Sequence, residues 1–446
     1  MFTSLILENF KGYGTRTEIP LAPITLLLGA NSSGKSTVLQ ALLALRQSWS
    51  RRHDGFSDLE TRGPYSSLGR FGNVQHAHDP ANNVVLGLRR GDSVTEFTYG
   101  TPSPEVAEAD GLNRINELCE MVLESGEVGR FEMTPWSFEH DPSTDRSSVR
   151  GTYSLDDDRS IERRIHWSRT GRELLVDDEQ DKAASLRVLI ERTAYRAERW
   201  LQGIRHIGPS RIAGQRAYER DSSGNDEVGA WGQNLATSLS RAESRLDVLN
   251  ERLVRVGVPY ALSVRDLDTL GDTVEILLED LRHRRPDGRP IRVGISDVGF
   301  GVGQLIPVLV EWHAMEERRL DTRAGGTLLV EQPELHLHPA WQVELVHEFA
   351  RPVAARHRAD GGSTLLNQVL LETHSPVIVR TLQRLVRCKI LPAADVAILH
   401  VESGVDGTRV KRIGIDSDGT FDSDWPEGFF PQEEDLLFDD IAELGD

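Results

Sequence analysis

The chain has 446 residues, 38% of them hydrophobic, enough for two or three globular units of ordinary size. No run approaches the roughly 18–20 apolar residues that cross a bilayer, and the only two cysteines, Cys119 and Cys388, form neither a disulfide framework nor a C-x-x-C motif. A net charge of −19 argues against a dedicated nucleic-acid coat, because such proteins neutralise phosphates with clustered Lys and Arg.

The N-terminus, Met1-Phe2-Thr3-Ser4-Leu5, lacks the basic start and small-residue cleavage site of a secretory leader, so a cytoplasmic protein without membrane contact is expected. Residues 5–9 read as a first strand. Residues 24–28 are wholly apolar, as a buried parallel strand requires. Leu39, Leu42, Leu43 and Leu45 recur at helical spacing. Between these two segments lies Gly29-Ala30-Asn31-Ser32-Ser33-Gly34-Lys35-Ser36-Thr37, a G-x-x-x-x-G-K-S loop. Its glycines let the backbone curl so that successive N–H groups face a phosphate, and the helix N-terminus adds partial positive charge. Lys35 is suited to the β- and γ-phosphates of ATP, and the Ser36 hydroxyl to Mg²⁺. The chain has five lysines against 46 arginines, and one of the five stands in this loop.

Residues 95–200 are polar and charge-rich. Alternation over 152–178 suggests strands, and 183–200 suggests a helix. Turn-rich loops follow at 208–211 and 228–233, where Arg211 is open to two readings, a ligand or subunit contact and a plain structural arginine. Residues 235–256 make one helix or two short ones. No heptad pattern is long enough for a coiled-coil arm. The basic runs at 282–285 and at Arg380, Arg384, Arg387 and Lys389 read first as solvated faces paired with acids.

Residues 325–331 lead from a glycine turn into an apolar strand ending in Glu331, a carboxylate placed to hold Mg²⁺ opposite Ser36. Residues 368–375 form another strand with His374 at its tip. Ligands of open α/β sheets collect beyond the carboxyl ends of the strands, so Gly29, Glu331 and His374 are expected to share one site. His336 and His338 could alternatively be a metal pair.

The segments NFKGYG, PITLLLGANSSGKST, DVGFGVGQLIPVL, LLVEQPELHLHP and LLETHSP together resemble the ABC/SMC-type ATPases, and within them the overcoming-lysogenization-defect (OLD)-like ATPases. Closer still is a family of stand-alone bacterial ATPases of poorly defined function. The resemblance covers roughly 1–75 and 205–446, including DWPEGFF at 424–430. It implies an α/β P-loop NTPase fold, a two-lobed ABC-type head with an inserted α+β arm. The expected divisions are a first lobe over 1–90, the arm over 91–204, a return segment over 205–290, a second lobe over 291–400 and an extension over 401–446.

The resemblance further implies a head-to-head homodimer, or a higher assembly, with ATP sandwiched between the P-loop of one subunit and a signature segment of the other. Residues 300–304 match the signature, so Gly301, Gly303 and Gln304 become nucleotide contacts. Gly301 stands where a serine is usual, and that hydroxyl is missing. Residues 337–339 fall at the D-loop, His374 at the switch histidine, and Gln75 is the candidate Q-loop residue at the metal. The position after the Walker B acid, ordinarily a catalytic glutamate, is Gln332. A carboxamide can position water but cannot take its proton. Either Glu334 or His374 substitutes, or hydrolysis is slow and ATP acts mainly as a clamp.

OLD-like proteins also carry a TOPRIM nuclease domain. The 72 residues after His374 are too few for one, Glu402 stands only 14 residues before Asp416 and Asp418, and the cluster Asp416, Asp418, Asp422 and Asp424 is expected to form acidic turns. These readings give two functions. One is an ATP-driven switch acting on a separately encoded effector such as a nuclease, plausible in defence against phage; the other is a nucleotide-bound scaffold with little hydrolysis. DNA binding by this chain alone is expected to be weak.

Overall fold

The computed structural model describes residues 1–50, 59–100, 117–125, 129–141, 146–155, 158–168, 174–176, 194–220, 227–241, 246–269, 272–322, 325–358, 367–405 and 407–422. The chain opens with β1 (Ser4–Glu8), β2 (Thr17–Pro20), β3 (Ile24–Leu28) and α1 (Lys35–Ser50). A run of strands follows: β4 (Val84–Arg90), β5 (Ser93–Gly100), β6 (Glu117–Ser125), β7 (Gly129–Asp141), β8 (Arg146–Leu155), β9 (Asp158–Ser168) and β10 (Leu174–Val176). Then come α2 (Ala194–Gln202), β11 (Ile204–Ile207), β12 (Tyr218–Glu219), α3 (Leu235–Arg241), α4 (Leu246–Val256), β13 (Tyr260–Asp266), β14 (Thr273–Arg284) and β15 (Pro290–Gly294). The last stretch holds α5 (Phe300–Thr322), β16 (Thr327–Glu331), α6 (Pro339–Arg358), β17 (Gln368–Glu372), α7 (Pro376–Arg387), β18 (Val396–Gly404) and β19 (Gly407–Ile413).

The central sheet has the order β11-β16-β17-β3-β18-β19. Its first five strands are parallel and β19 is antiparallel. The apolar runs of β3, β16 and β17 are explained by burial on both faces. Leu27, Leu329 and Leu370 point into a core shared with α1, α2 and the first sheet. Leu26, Leu28, Leu328, Val330, Val369 and Leu371 point into a core shared with α3 to α7. Each such side chain, fully buried, contributes roughly 1.5–3 kcal/mol. Helix α7 starts on an N-cap, Ser375, whose hydroxyl accepts from Ile378 N, and Pro376 follows in the first turn. It buries Ile378, Val379, Leu382, Leu385 and Val386 along one stripe and leaves Arg380, Arg384 and Arg387 exposed.

The two cores are joined by buried charge. Arg46 of α1 and Arg205 of β11 both bind Glu227, and Arg205 Nε also meets Glu311 of α5 at 3.2 Å. Glu311 accepts in turn from Val228 N at 2.6 Å. Charges buried this deeply persist only when each has a partner.

Several sequence boundaries move. The expected arm does not begin afresh at residue 91, because β5 pairs with β4 across that point and the meander continues the sheet of β1 and β2 in the order β10-β9-β8-β7-β6-β5-β4-β1-β2. An extension starting at 401 would cut β18, which lies beside β3 in the core. Residues 235–256 are two helices, α3 and α4. The helix expected over 183–200 is described only from Ala194, and 177–193 lie outside the described residues. The basic run at 282–285 sits at the exposed β14–β15 hairpin, where Asp280 binds both Arg282 and His283. The acidic residues near the end form a turn: Asp418 accepts from Thr420, and Asp422 from Gly414 N. Asp424 and the segment 424–430 lie outside the described residues. Among the described residues no helix is long and apolar enough to cross a membrane.

Candidate functional site

The phosphate loop is the connection from β3 to α1, and its shape depends on two glycines. Gly29 has φ +142°, and a Cβ there would lie 2.2 Å from Val401 O, a backbone atom that cannot move aside. Gly34 has φ +104°, and its Cβ would press on Thr408 of β19. Tyr13 Oη donates to Gly34 O at 3.2 Å, so the loop is braced from outside. Ser32 adopts φ +63°. Lys35, at the first turn of α1, donates to Gly29 O at 3.0 Å and to Ala30 O at 2.7 Å, which holds its ammonium over the loop. Burial pulls its pKa down, and Glu372 pulls the other way.

The ends of β16 and β17 converge on this loop. Ser36 Oγ donates to Glu372 Oε1 at 3.0 Å. Burial pushes the Glu372 carboxyl above the usual carboxylate range; the Ser36 hydrogen bond opposes this and Glu331 adds to it. Glu331 is the direct ladder neighbour of Glu372, and its Oε1 meets His206 Nε2 of β11 at 2.8 Å. Gln332 has φ +46° and donates its N–H to Glu372 O at 2.7 Å. Glu334 accepts from Thr373 Oγ1 at 2.7 Å and from His374 N at 2.8 Å, so both of its oxygens hold the segment carrying His374. Burial first, then the Lys35 ammonium, keep the His374 imidazole below the usual histidine range.

Arg211 is 4% exposed and acts as a strut. Its Nη2 donates to Glu331 O at 3.0 Å and Gln332 O at 3.3 Å, and Gln304 Nε2 donates back to Arg211 O at 3.3 Å. Burial pulls the guanidinium pKa down to about 10, against the pull of Glu334 and Glu331. Of the two readings of Arg211, these bonds favour the structural one.

Lys35, Ser36, Glu331, Gln332, Glu334 and His374 thus lie around one strand-end cluster. Two predicted residues do not fit their expected parts. Gln304 is 1% exposed and its amide is turned inward to Arg211, so the outward surface of the signature segment comes from Gly299, Phe300 and Gly303. Gln75 is 3% exposed, with Nε2 donating to Pro80 O and Asn82 O, bonds that secure the loop beside β1. Gly301 packs on the backbone just before residue 337: a Cβ would meet His336 O at 2.7 Å. His336 stacks edge-on against Phe300 at 4.7 Å, and His338 Nδ1 accepts from Ala340 N at the start of α6, so this histidine pair has packing and capping roles.

Glu372 and His206 were missed from sequence. For Glu372 a signal was present, since TLLVE of β16 and QVLLE of β17 are the same apolar strand ending in a glutamate. His206 carries no such pattern and reaches Glu331 only through strand order.

The donor set fits a nucleoside triphosphate with its metal. Ser33 Oγ and Glu372 Oε2 are buried without hydrogen-bond partners among the described residues, and the backbone approaches too closely at Gly29 for any side chain. The family model described as "AAA domain, putative AbiEii toxin, Type IV TA system" matches residues 24–380. The chain belongs to this AAA family. The match runs from the first residue of β3 into α7 and takes in the P-loop. A family of proteins of unknown function matches residues 391–439. No curated protein matches. Among solved structures the AAA chain is similar to an SMC head domain from Thermotoga maritima at 11% identity, covering 93% of this chain and 99% of that one, with a TM-score of 0.37. It is also similar to an Smc head domain with an extended coiled coil, bound to the C-terminal domain of ScpA, from Pyrococcus furiosus: 11% identity, 93% and 96% coverage, TM-score 0.42. An Smc head domain with a coiled coil and joint from Pyrococcus yayanosii matches at 10% identity, 93% and 97% coverage, TM-score 0.40.

Proposed function

We propose that this protein is a slow ATPase that works as an ATP-dependent switch. The observation that carries the reading is the convergence of the P-loop with the Glu331 and Glu372 strand ends, with the Ser36 hydroxyl joined to a carboxylate at 3.0 Å. Residues 29–37 and the N-terminus of α1 would cradle the phosphates of ATP. Ser36 and the strand-end carboxylates beside it would hold Mg²⁺, which when bound draws charge from the phosphate oxygens. His374 would present its neutral imidazole to the terminal phosphate.

Slow turnover is supported by the acceptors available for the water proton. Gln332 has no basic oxygen, and Glu334 spends both oxygens on Thr373 and His374. An ATP-sandwich homodimer is supported by the outward, open signature segment: a Cβ at Gly299 or Gly303 would meet nothing within 4 Å among the described residues. Membership of an AAA family of the AbiEii type, tied to type IV toxin–antitoxin systems, supports a role in regulating a separate effector, of which a nuclease in anti-phage defence is our choice. Scaffolding without hydrolysis is the second reading, favoured by Gln332 alone.

The test is nucleotide binding by the purified full chain and by Lys35→Ala. ATP affinity should fall about 100-fold or more, which is 2.7 kcal/mol or more on the binding scale. Far-UV circular dichroism and the melting temperature should stay close to wild type. Undiminished affinity in the variant would reject the site.

A further inference from the structure

The carboxylate closest to the Ser36 hydroxyl is not the one at the end of β16. Ser36 Oγ donates to Glu372 Oε1 at 3.0 Å, whereas Glu331 directs its Oε1 to His206 Nε2 at 2.8 Å. His206 belongs to β11, on the side of β16 away from β17 and β3, so Glu331 is drawn outward from the phosphate loop. Glu372 is 7% exposed, and its Oε2 is buried with no hydrogen-bond partner among the described residues. A buried carboxylate oxygen without a donor is costly and calls for a bound group.

The charge balance points the same way. Glu331 and Glu372 are ladder partners on neighbouring strands, which run about 4.8 Å apart. A divalent cation at this point would remove the repulsion between them. Among the described residues no group of three or more His, Cys, Asp or Glu side chains could hold a metal by itself. A site for Mg²⁺ arriving on a triphosphate needs only one or two protein ligands, since phosphate oxygens and water supply the rest.

Building on the ATP-binding reading, the geometry points to Glu372 as the main carboxylate ligand of the divalent cation. Its Oε1 would go on accepting the Ser36 hydrogen bond, leaving a hydroxyl lone pair free, and its second oxygen would supply the negative charge that holds the cation. Glu331, held by His206, acts behind it as a positioning residue. The division of labour follows from strand order: β17 lies between β16 and β3, so the end of β17 is next to the phosphate loop.

The test uses the full chain, with Mn²⁺ as the probe. Free Mn²⁺ is followed by electron paramagnetic resonance during titration of the ATP-loaded protein, and ATP affinity is measured separately in EDTA. Glu372→Gln keeps the volume and the acceptor for Ser36. It should weaken Mn²⁺ binding to the ATP complex by more than about 100-fold, while Glu331→Gln, removing a residue behind the ligand, weakens it by about ten-fold. Metal-free ATP affinity of Glu372→Gln should equal or exceed wild type, because one negative charge is removed beside the phosphates. Glu372→Asp, which restores the charge, should recover Mn²⁺ binding to within about ten-fold of wild type and covers the case of a poorly folding Gln variant. Mn²⁺ affinity within two-fold of wild type in Glu372→Gln, or a larger loss in Glu331→Gln, overturns the assignment while leaving ATP binding standing. A wild-type chain that binds no ATP in either condition overturns both.

Discussion

Replacing Gln332 with glutamate should raise ATP turnover, and the structure bounds by how much. Gln332 follows Glu331 at the end of β16, with its backbone fixed at φ +46° by the bond from its N–H to Glu372 O. The substitution changes no volume and leaves that backbone bond intact. A positioned general base is worth about 10²–10⁴-fold, or roughly 2.7–5.5 kcal/mol of barrier. The new carboxylate would join Glu331, Glu334 and Glu372. Two full charges about 5 Å apart repel by roughly 3 kcal/mol at an effective dielectric near 20. Lys35, Arg211 and a bound divalent cation offset part of this, so the expected gain is near the lower end, about 100-fold. Single-turnover hydrolysis of ATP at saturating protein is the assay, with ATP affinity measured alongside to exclude a binding effect. Fast wild-type turnover that Gln332→Glu leaves unchanged and Glu334→Gln abolishes would refute the reasoning and move the base to Glu334.

Three further outcomes are expected. Gly303→Trp should leave monomer stability and ATP binding unchanged, since the position opens on space, but should block ATP-dependent dimerisation measured by light scattering. Glu334→Ala should lower turnover at least ten-fold and stability by roughly 2 kcal/mol, as it removes two hydrogen bonds to a charged group that hold Thr373 and His374; a turnover rate equal to wild type would show that the brace is not needed. Burial pushes the Glu198 carboxyl up to about 7, with the Gln202 hydrogen bond opposing, so its protonated form is the one the fold favours. That stability is fully present below the ordinary glutamate pKa and is lost as pH rises through about 7, so the wild-type melting temperature should fall across this window while Glu198→Gln stays flatter.

The sequence by itself determined the phosphate loop. Strand, glycines, lysine and helix are contiguous, and the local conformations that residues 29–37 need are carried by Gly29 and Gly34 themselves. It also determined which strands are central, because β3, β16 and β17 are apolar at consecutive positions and only burial on both faces accounts for that. Strand order lay beyond it. The order β11-β16-β17-β3 sets Glu372 beside Ser36, 336 positions apart in the chain, and sets His206 against Glu331. Neither pairing leaves a mark at short range, since parallel neighbours are joined by crossovers of any length. The same limit explains Gln304 and Gln75, two polar residues in motif-like positions whose amides turn inward to backbone carbonyls. A residue type can state what chemistry is possible, but which side of an element meets solvent is decided by the packing of the whole chain.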